Sequence, residues 1–228
     1  MFKRLLFATL ALGLALACPA QSGPAPDPTI EPSNLYPHKL QLKAYIDSGG
    51  YARDVAAVAL QADKYLVKRL AKGAKPGKKL AIVFDIDETT LSNLPHILAN
   101  DYGYVPRIWN EWVAEGRARA IVPVQTVYDT AIRGKIDVFF ITGRTENDRA
   151  ATERNLRDVG YDTWTRIYYY KPSGDTPLSL AGFKTEVRRK LTQEGYVIVA
   201  NIGDQNSDLV GGYAERYFKL PNPFYISN

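Results

Sequence analysis

Asp85 and Asp87 stand one residue apart at the end of the apolar run Ala81-Ile82-Val83-Phe84. Residues i and i+2 of an extended chain point to the same side, so both carboxylates can project from the end of one strand. Lys78-Lys79 bound the run on its other side, and a run apolar on both faces reads as a buried parallel strand. Open parallel sheets bind their ligands outside the carboxyl ends of their strands. Two carboxylates held there repel each other, so the site wants a cation, a shared proton or an anionic substrate neutralised by metal. One carboxylate can attack phosphorus while the other shuttles a proton. A plainer reading has one aspartate capping the next helix and the other solvated.

The elements that would assemble such a site recur along the chain. Ile136–Ile141 reads as a second strand and ends in Thr142-Gly143-Arg144; Val197–Ile202 reads as a third and ends in Gly203-Asp204-Gln205-Asn206-Ser207-Asp208. Between them Gly182-Phe183-Lys184-Thr185 opens a helix with Val187 and Leu191 on one face. Taken singly, Lys184 could be an exposed lysine near a helix start and Thr142 a strand end turning with Gly143. Arg144 has two readings, a surface pairing with Glu146 or Asp148 and a role toward substrate. Thr145 with Asp148 looks like an N-cap pair before a helix carrying Ala150, Ala151, Asn155 and Val159, which stops at Gly160.

In this order, Asp85-x-Asp87-x-Thr89, Thr142, Lys184 and Gly203-Asp204 with Asp208, the set resembles the haloacid dehalogenase superfamily of phosphohydrolases. Phe84-Asp85-Ile86-Asp87-Glu88-Thr89, Phe140-Ile141-Thr142-Gly143-Arg144, Phe183-Lys184-Thr185 and Gly203-Asp204-Gln205-Asn206-Ser207-Asp208-Leu209 look like the bacterial class B-like and plant acid phosphatases. The tail Phe218-Lys219-Leu220-Pro221-Asn222-Pro223 is similar to the plant vegetative storage proteins of that group, and the resemblance runs from about Tyr36 to the C-terminus. It implies an acid phosphatase acting on small phosphomonoesters. Asp85 would be the nucleophile, carrying an aspartyl-phosphate, and Asp87 the general acid and base. Mg²⁺ would be held by Asp85, the Asp87 carbonyl and Asp204, with Asp208 as an outer carboxylate; hard oxygen donors suit that ion. Thr142 and Lys184 would bind the phosphoryl oxygens. A phosphotransferase using the same intermediate is one alternative. A weakly active storage or binding protein is another, against which the presence of Asp85 argues.

Composition narrows the chemistry independently. The chain has one cysteine, Cys18, placed in an apparent leader, which excludes a cysteine phosphatase. Its two histidines, His38 and His96, cannot build a histidine-rich dinuclear metal site. His96 follows the first motif closely enough to lie near the site, although a surface or internally satisfied histidine is the more ordinary reading. The formal charge of +5 loses two units with Lys3 and Arg4, and no basic run exceeds Arg188-Arg189-Lys190, so no nucleic-acid polymer is expected as partner.

Residues 1–17 read as a signal peptide, with Lys3-Arg4 before the apolar stretch Leu5 to Leu16. Ala15-Leu16-Ala17-Cys18 fits either ordinary cleavage or a bacterial lipobox with Ala15 in place of leucine. Residues 18–37 form a Pro-rich tether, which favours a lipid on Cys18, attachment to the membrane and a periplasmic or cell-envelope location over a secreted form. Tyr51, Val55, Val58, Ala62, Tyr65, Leu66 and Leu70 then recur at helical spacing. Residues 38–228 form the phosphatase domain, α/β in class. The expected fold is a doubly wound parallel sheet, Rossmann-like as in the haloacid dehalogenases, with a small helical cap at about 93–122. In that insertion Trp109, Trp112 and Val113 share a helical face, which points Trp112 to packing. Tyr102, Tyr104 and Trp109 either pack there too or line an entrance and stack on a leaving group. Pro123 fits the first turn of a helix through Arg133, closed by Gly134.

Overall fold

The computed structural model describes residues 32–172 and 178–227, and residues 36–228 hold together as one compact unit. The leader at 1–17, Cys18 and the tether as far as residue 31 lie outside the described residues. Helix α1 (Leu35–Asp47) begins inside the stretch read as tether. Pro37 lies in its first turn, where a missing N–H costs nothing, and no α1 residue is buried, so the helix carries no apolar stripe to betray it. Helix α2 (Gly50–Leu70) buries Tyr51, Val55, Ala59, Ala62 and Leu66 along one face. No described helix is long and apolar enough to cross a membrane.

The chain then runs through β1 (Lys79–Phe84), β2 (Leu91–Ser92), α3 (Leu94–Ala99), α4 (Pro106–Glu115), β3 (Arg119–Ala120), α5 (Val122–Arg133) and β4 (Asp137–Thr145). It continues through α6 (Arg149–Asp158), β5 (Arg166–Tyr170), α7 (Leu180–Gln193), β6 (Tyr196–Gly203), α8 (Asn206–Leu209) and β7 (Tyr217–Lys219). Five strands form one sheet in the order β5-β4-β1-β6-β7, every pair parallel. The chain leaves β1 for β4 and β5 on one side, then crosses to β6 and β7 on the other. The carboxyl end of β1 is therefore the switch point where parallel sheets open a crevice.

Alternation along β1 divides the core. Leu80, Ile82 and Phe84 join the face covered by α2 and α5, while Ala81 and Val83 join Phe139, Ile141 and Ile198 beneath Val187 and Leu191 of α7. Helices on both faces satisfy the sheet, as the doubly wound expectation requires. The insertion between β1 and β4 forms α3 and α4, and at its root β2 pairs antiparallel with β3, Leu91 opposite Ala120 and Ser92 opposite Arg119. That two-residue ribbon has no counterpart in the sequence reading, being too short for any periodicity to reveal. Thr145 and Asp148 do form a capping box: the Thr145 amide and hydroxyl both donate to Asp148 Oδ2, at 2.8 and 2.9 Å.

Candidate active site

Sheet pairing continues past β1 for one residue, as the Asp85 amide donates to Ile202 O. The chain then wraps around the Ile86 carbonyl, which accepts from the amides of Thr89, Thr90 and Leu91. Glu88 takes a left-handed conformation at φ 53°, which a non-glycine residue holds only when its surroundings fix it. Thr90 Oγ1 donates to the Asp85 carbonyl at 2.5 Å. This turn aims Asp85 and Asp87 at different cations.

Asp85 meets the ends of α7 and β6. Lys184 Nζ donates to Asp85 Oδ1 and Asp208 Oδ1, each at 2.5 Å, and all three side chains are buried. Ser179 caps α7 by accepting from the Gly182 amide, so the first turns of that helix deliver Lys184 to the crevice. Gly203 is required at the end of β6, because a Cβ there would lie 2.3 Å from Asp208 Cβ. Asp208 Oδ2 accepts from the Gln205 amide at 2.7 Å. Asp204 Oδ1 accepts from Thr89 Oγ1 at 2.9 Å, and its Oδ2 accepts from Gln205 Nε2 and Asn222 Nδ2, both at 2.7 Å.

Asp85, Asp204 and Asp208 each bring a carboxylate oxygen into one group whose members lie within 4.8 Å of one another. Burial, then the charge of Asp208, pushes both Asp85 and Asp204 above the usual carboxylate range. Burial alone would lower Lys184, but the two carboxylates outweigh it and hold the ammonium charged. One lysine does not neutralise three buried carboxylates. An all-oxygen donor set with surplus negative charge fits a hard divalent cation, and no histidine or cysteine enters the group.

Asp87 faces the other way. Arg144 Nη2 lies 2.7 Å from its Oδ1 and Nε 3.1 Å from both oxygens, while Arg144 Nη1 donates to Thr152 Oγ1 at 3.0 Å. Burial tends to raise Asp87, yet the guanidinium and Asn93 overcome it and hold the carboxyl below its ordinary value. The surface pairing read for Arg144 does not form: its partner is Asp87, not Glu146 or Asp148, and the side chain is buried at the cavity wall. Glu88, beside Asp87, accepts from the Asn93 amide, Asn93 Nδ2 and the Tyr225 hydroxyl. Burial, reinforced by Asp87, raises Glu88 to about 8. Thr142 is buried within β4, three residues before its end, with its Oγ1 accepting from the Arg144 amide at 3.0 Å.

A cavity of about 920 Å³ opens beside Asp87 and Arg144. Tyr102, Tyr104, Trp109 and His96 line it from the cap, and Phe224 and Tyr225 from the C-terminal segment. Tyr102 stacks on Phe224 with centroids 6.2 Å apart, and the edge of Trp109 meets His96 at 5.5 Å. Tyr104 is 69% exposed and so is free to reach a ligand. Trp112 packs as its helical position suggests and donates through Nε1 to Asn93 Oδ1 at 2.8 Å. His96 is buried rather than superficial, and burial lowers its pKa.

Asp85, Lys184, Asp204 and Asp208 thus converge in one cluster, with Asp87 and Arg144 in the adjoining one. Asn93, Glu88, Asn222 and Tyr225 had no site role in the sequence reading. Glu88 belongs to the first motif and Asn93 follows it closely, so proximity along the chain was the one signal available for them. Asn222 lies in the tail motif likened to the storage proteins, and nothing local marked Tyr225.

Residues 3–228 match the family described as haloacid dehalogenase superfamily, subfamily IIIB (acid phosphatase). The chain is 37% identical over 188 residues to a stem 28 kDa glycoprotein of Glycine max, covering 80% of this chain and 72% of that one. It is 34% identical over 209 residues to acid phosphatase 1 of Solanum lycopersicum, covering 86% and 80%. Plant vegetative storage proteins are also relatives. The structure is similar to the class C acid phosphatase of Bacillus anthracis, with TM-score 0.69 and 27% identity over 84% of this chain and 86% of that one. The same enzyme with tungstate bound matches with TM-score 0.66 and 27% identity over 82% and 86%.

Proposed function

The chain belongs to the acid phosphatases of haloacid dehalogenase subfamily IIIB, and we propose that it hydrolyses small phosphate monoesters with Mg²⁺ by way of a phosphoryl group on Asp85. The observation that carries this reading is the contact set of Asp85. Among the described residues its Oδ1 is held by Lys184 while Oδ2 has no hydrogen-bond donor, beside Asp204 and Asp208. A carboxylate with one oxygen fixed and one free is poised for in-line attack.

In the first step an Asp85 oxygen bonds to phosphorus as the bond from phosphorus to the leaving oxygen breaks, and Asp87 gives that oxygen a proton. In the second, Asp87 takes a proton from water as the water oxygen attacks phosphorus and the bond to Asp85 breaks, freeing inorganic phosphate. A phosphate group docking here adds negative charge, which favours the protonated form of Asp87 that the first step uses. Lys184 and the Thr142 hydroxyl contact the phosphoryl oxygens. Asp85, the Asp87 carbonyl and Asp204 would hold Mg²⁺, with Asp208 outside them. The bound ion supplies positive charge to the phosphoryl oxygens as charge builds there. Tungstate bound to the Bacillus anthracis enzyme, a tetrahedral oxyanion, supports a phosphoryl site in this fold. The aromatic cavity suits a leaving group with a planar ring.

We also read the protein as exported through residues 1–17 and held at the cell envelope by a lipid on Cys18. The basic start, the short apolar core and the Pro-rich stretch after Cys18 support that reading. A Cys18→Ser variant that stays in the membrane fraction fully processed would contradict it.

The test of the activity is turnover of nucleotide, sugar and aryl phosphates by Mg²⁺-loaded protein at acid and neutral pH. Exhaustive chelation should abolish turnover and Mg²⁺ restore it. Full turnover with metal content verified as negligible would refute the metal role.

A further inference from the structure

Asn93 sits at the junction of β2 and α3, and every polar atom of its side chain is engaged. Trp112 Nε1 can only donate, and it lies 2.8 Å from one end of the Asn93 amide. That end must be Oδ1, which leaves Nδ2 facing two acids: Asp87 Oδ1 at 2.8 Å and Glu88 Oε2 at 3.1 Å. The Asn93 backbone amide donates to the other Glu88 oxygen. The orientation of this buried amide is therefore set by a tryptophan of the cap helix α4.

The consequence falls on Asp87. Its Oδ1 receives Arg144 Nη2, Arg144 Nε and Asn93 Nδ2, whereas Oδ2 receives Arg144 Nε alone, at 3.1 Å. Donors crowded on one oxygen hold the carboxyl in one rotamer and occupy that oxygen. Oδ2, with a single donor, is the less occupied oxygen, and Asp87 also lines the cavity. Neither Asn93 nor Trp112 does so.

We propose that Asn93, with its amide oriented by Trp112 of the cap, is a positioning residue that fixes Asp87 so that Oδ2 serves as the proton-transfer oxygen. The cap would then act on the chemistry through its packed interior as well as through its aromatic mouth. The proposal rests on the role of Asp87 as acid given above.

The experiment measures kcat/KM for an aryl phosphate, 4-nitrophenyl phosphate, and an alkyl phosphate, glycerol phosphate, on Mg²⁺-loaded protein. This constant reports steps through departure of the leaving group. A nitrophenolate leaves without a proton and an alkoxide does not. Loss of a well-placed acid therefore falls on the alkyl ester, where general acid catalysis is worth roughly 10²–10⁴-fold. Asn93→Ala should lower kcat/KM for glycerol phosphate by about tenfold more than for 4-nitrophenyl phosphate. Trp112→Phe keeps an aromatic ring in the cap while removing the donor and part of the ring, and should shift the same ratio in the same direction by a smaller factor. The double variant should be no worse than Asn93→Ala, since both act through one contact.

A structural role alone lowers both substrates equally, and equal losses overturn the proposal. Should Asn93→Ala not fold, the Trp112→Phe ratio decides. Asp87→Asn, run alongside, separates the two readings. A selective loss there with unselective losses in the other variants overturns the proposal and leaves the mechanism standing. Equal losses in Asp87→Asn remove the acid itself and the proposal with it.

Discussion

The buried Arg144 and the half-buried Asp87 form a forked ion pair between the end of β4 and the loop after β1, with Nη2 2.7 Å from Oδ1 and Nε 3.1 Å from both oxygens. The third guanidinium nitrogen is tied to Thr152 of α6. The acid of the proposed mechanism is thus held by the neighbouring strand, while the nucleophile is held by α7.

This geometry predicts that Arg144→Lys is not conservative. An ammonium supplies the charge without the fork, so kcat/KM should fall by about tenfold with Lys and by about a hundredfold or more with Met. Removing the guanidinium also leaves the half-buried Asp87 without its cation, and calorimetry should show a loss of stability in Arg144→Met. Wild-type activity in that variant would show that the pair is idle.

Asp204 and Asp208 should separate in metal binding. Among the described residues Asp204 has no cation partner, whereas Asp208 already carries Lys184. Asp204→Ala should weaken Mg²⁺ affinity by about tenfold more than Asp208→Ala, measured by titration calorimetry on metal-free protein. The reverse order would exchange their assignments.

Trp109 stands between packing and recognition. Its ring meets His96, and Arg144 lies 5.8 Å from its centroid at the cavity wall. A stacking contact is worth ~1 kcal/mol. Trp109→Ala should therefore raise KM several-fold for nucleoside monophosphates and aryl phosphates, with little change for glycerol phosphate. Equal losses on all three, in protein shown folded by circular dichroism, would assign Trp109 to the cap core.

His96 gives a pH dependence with a definite sign. Burial lowers its pKa below the ordinary 6.5, so the folded state prefers the neutral ring and the unfolded chain takes the proton first. Its contribution to stability is complete above 6.5 and is lost as pH falls from 6.5 through the folded value. Thermal unfolding across that window should show His96→Gln losing less stability on acidification than the wild type. Parallel curves would contradict this.

The three central strands were legible because buried parallel strands are local apolar runs, and β1, β4 and β6 each end in the polar residues that mark a crevice, whereas the edge strands β5 and β7 carry no such run and were not read. Lys184, Asp204 and Asp208 could be placed because their order along the chain matched one superfamily. The pairing of Arg144 could not, since its partner lies 57 residues away and nearer acids offered a local alternative. Tyr225 reaches Glu88 across 137 residues, and Asn222 reaches Asp204 from a tail with no periodicity. Such contacts exist only once the sheet brings its carboxyl ends together. Asn93 was missed because a single asparagine at the start of the insertion carries no pattern of its own; its side chain makes no cap on α3 and serves Asp87 instead.

The most direct measurement is mass spectrometry of protein quenched in acid during turnover of 4-nitrophenyl phosphate with Mg²⁺. The mechanism predicts one added phosphoryl group on the peptide bearing Asp85, lost on treatment with hydroxylamine as acyl phosphates are, and absent from Asp85→Asn. Sustained turnover with no adduct on that peptide, or an adduct on another residue, would contradict Asp85 as the nucleophile.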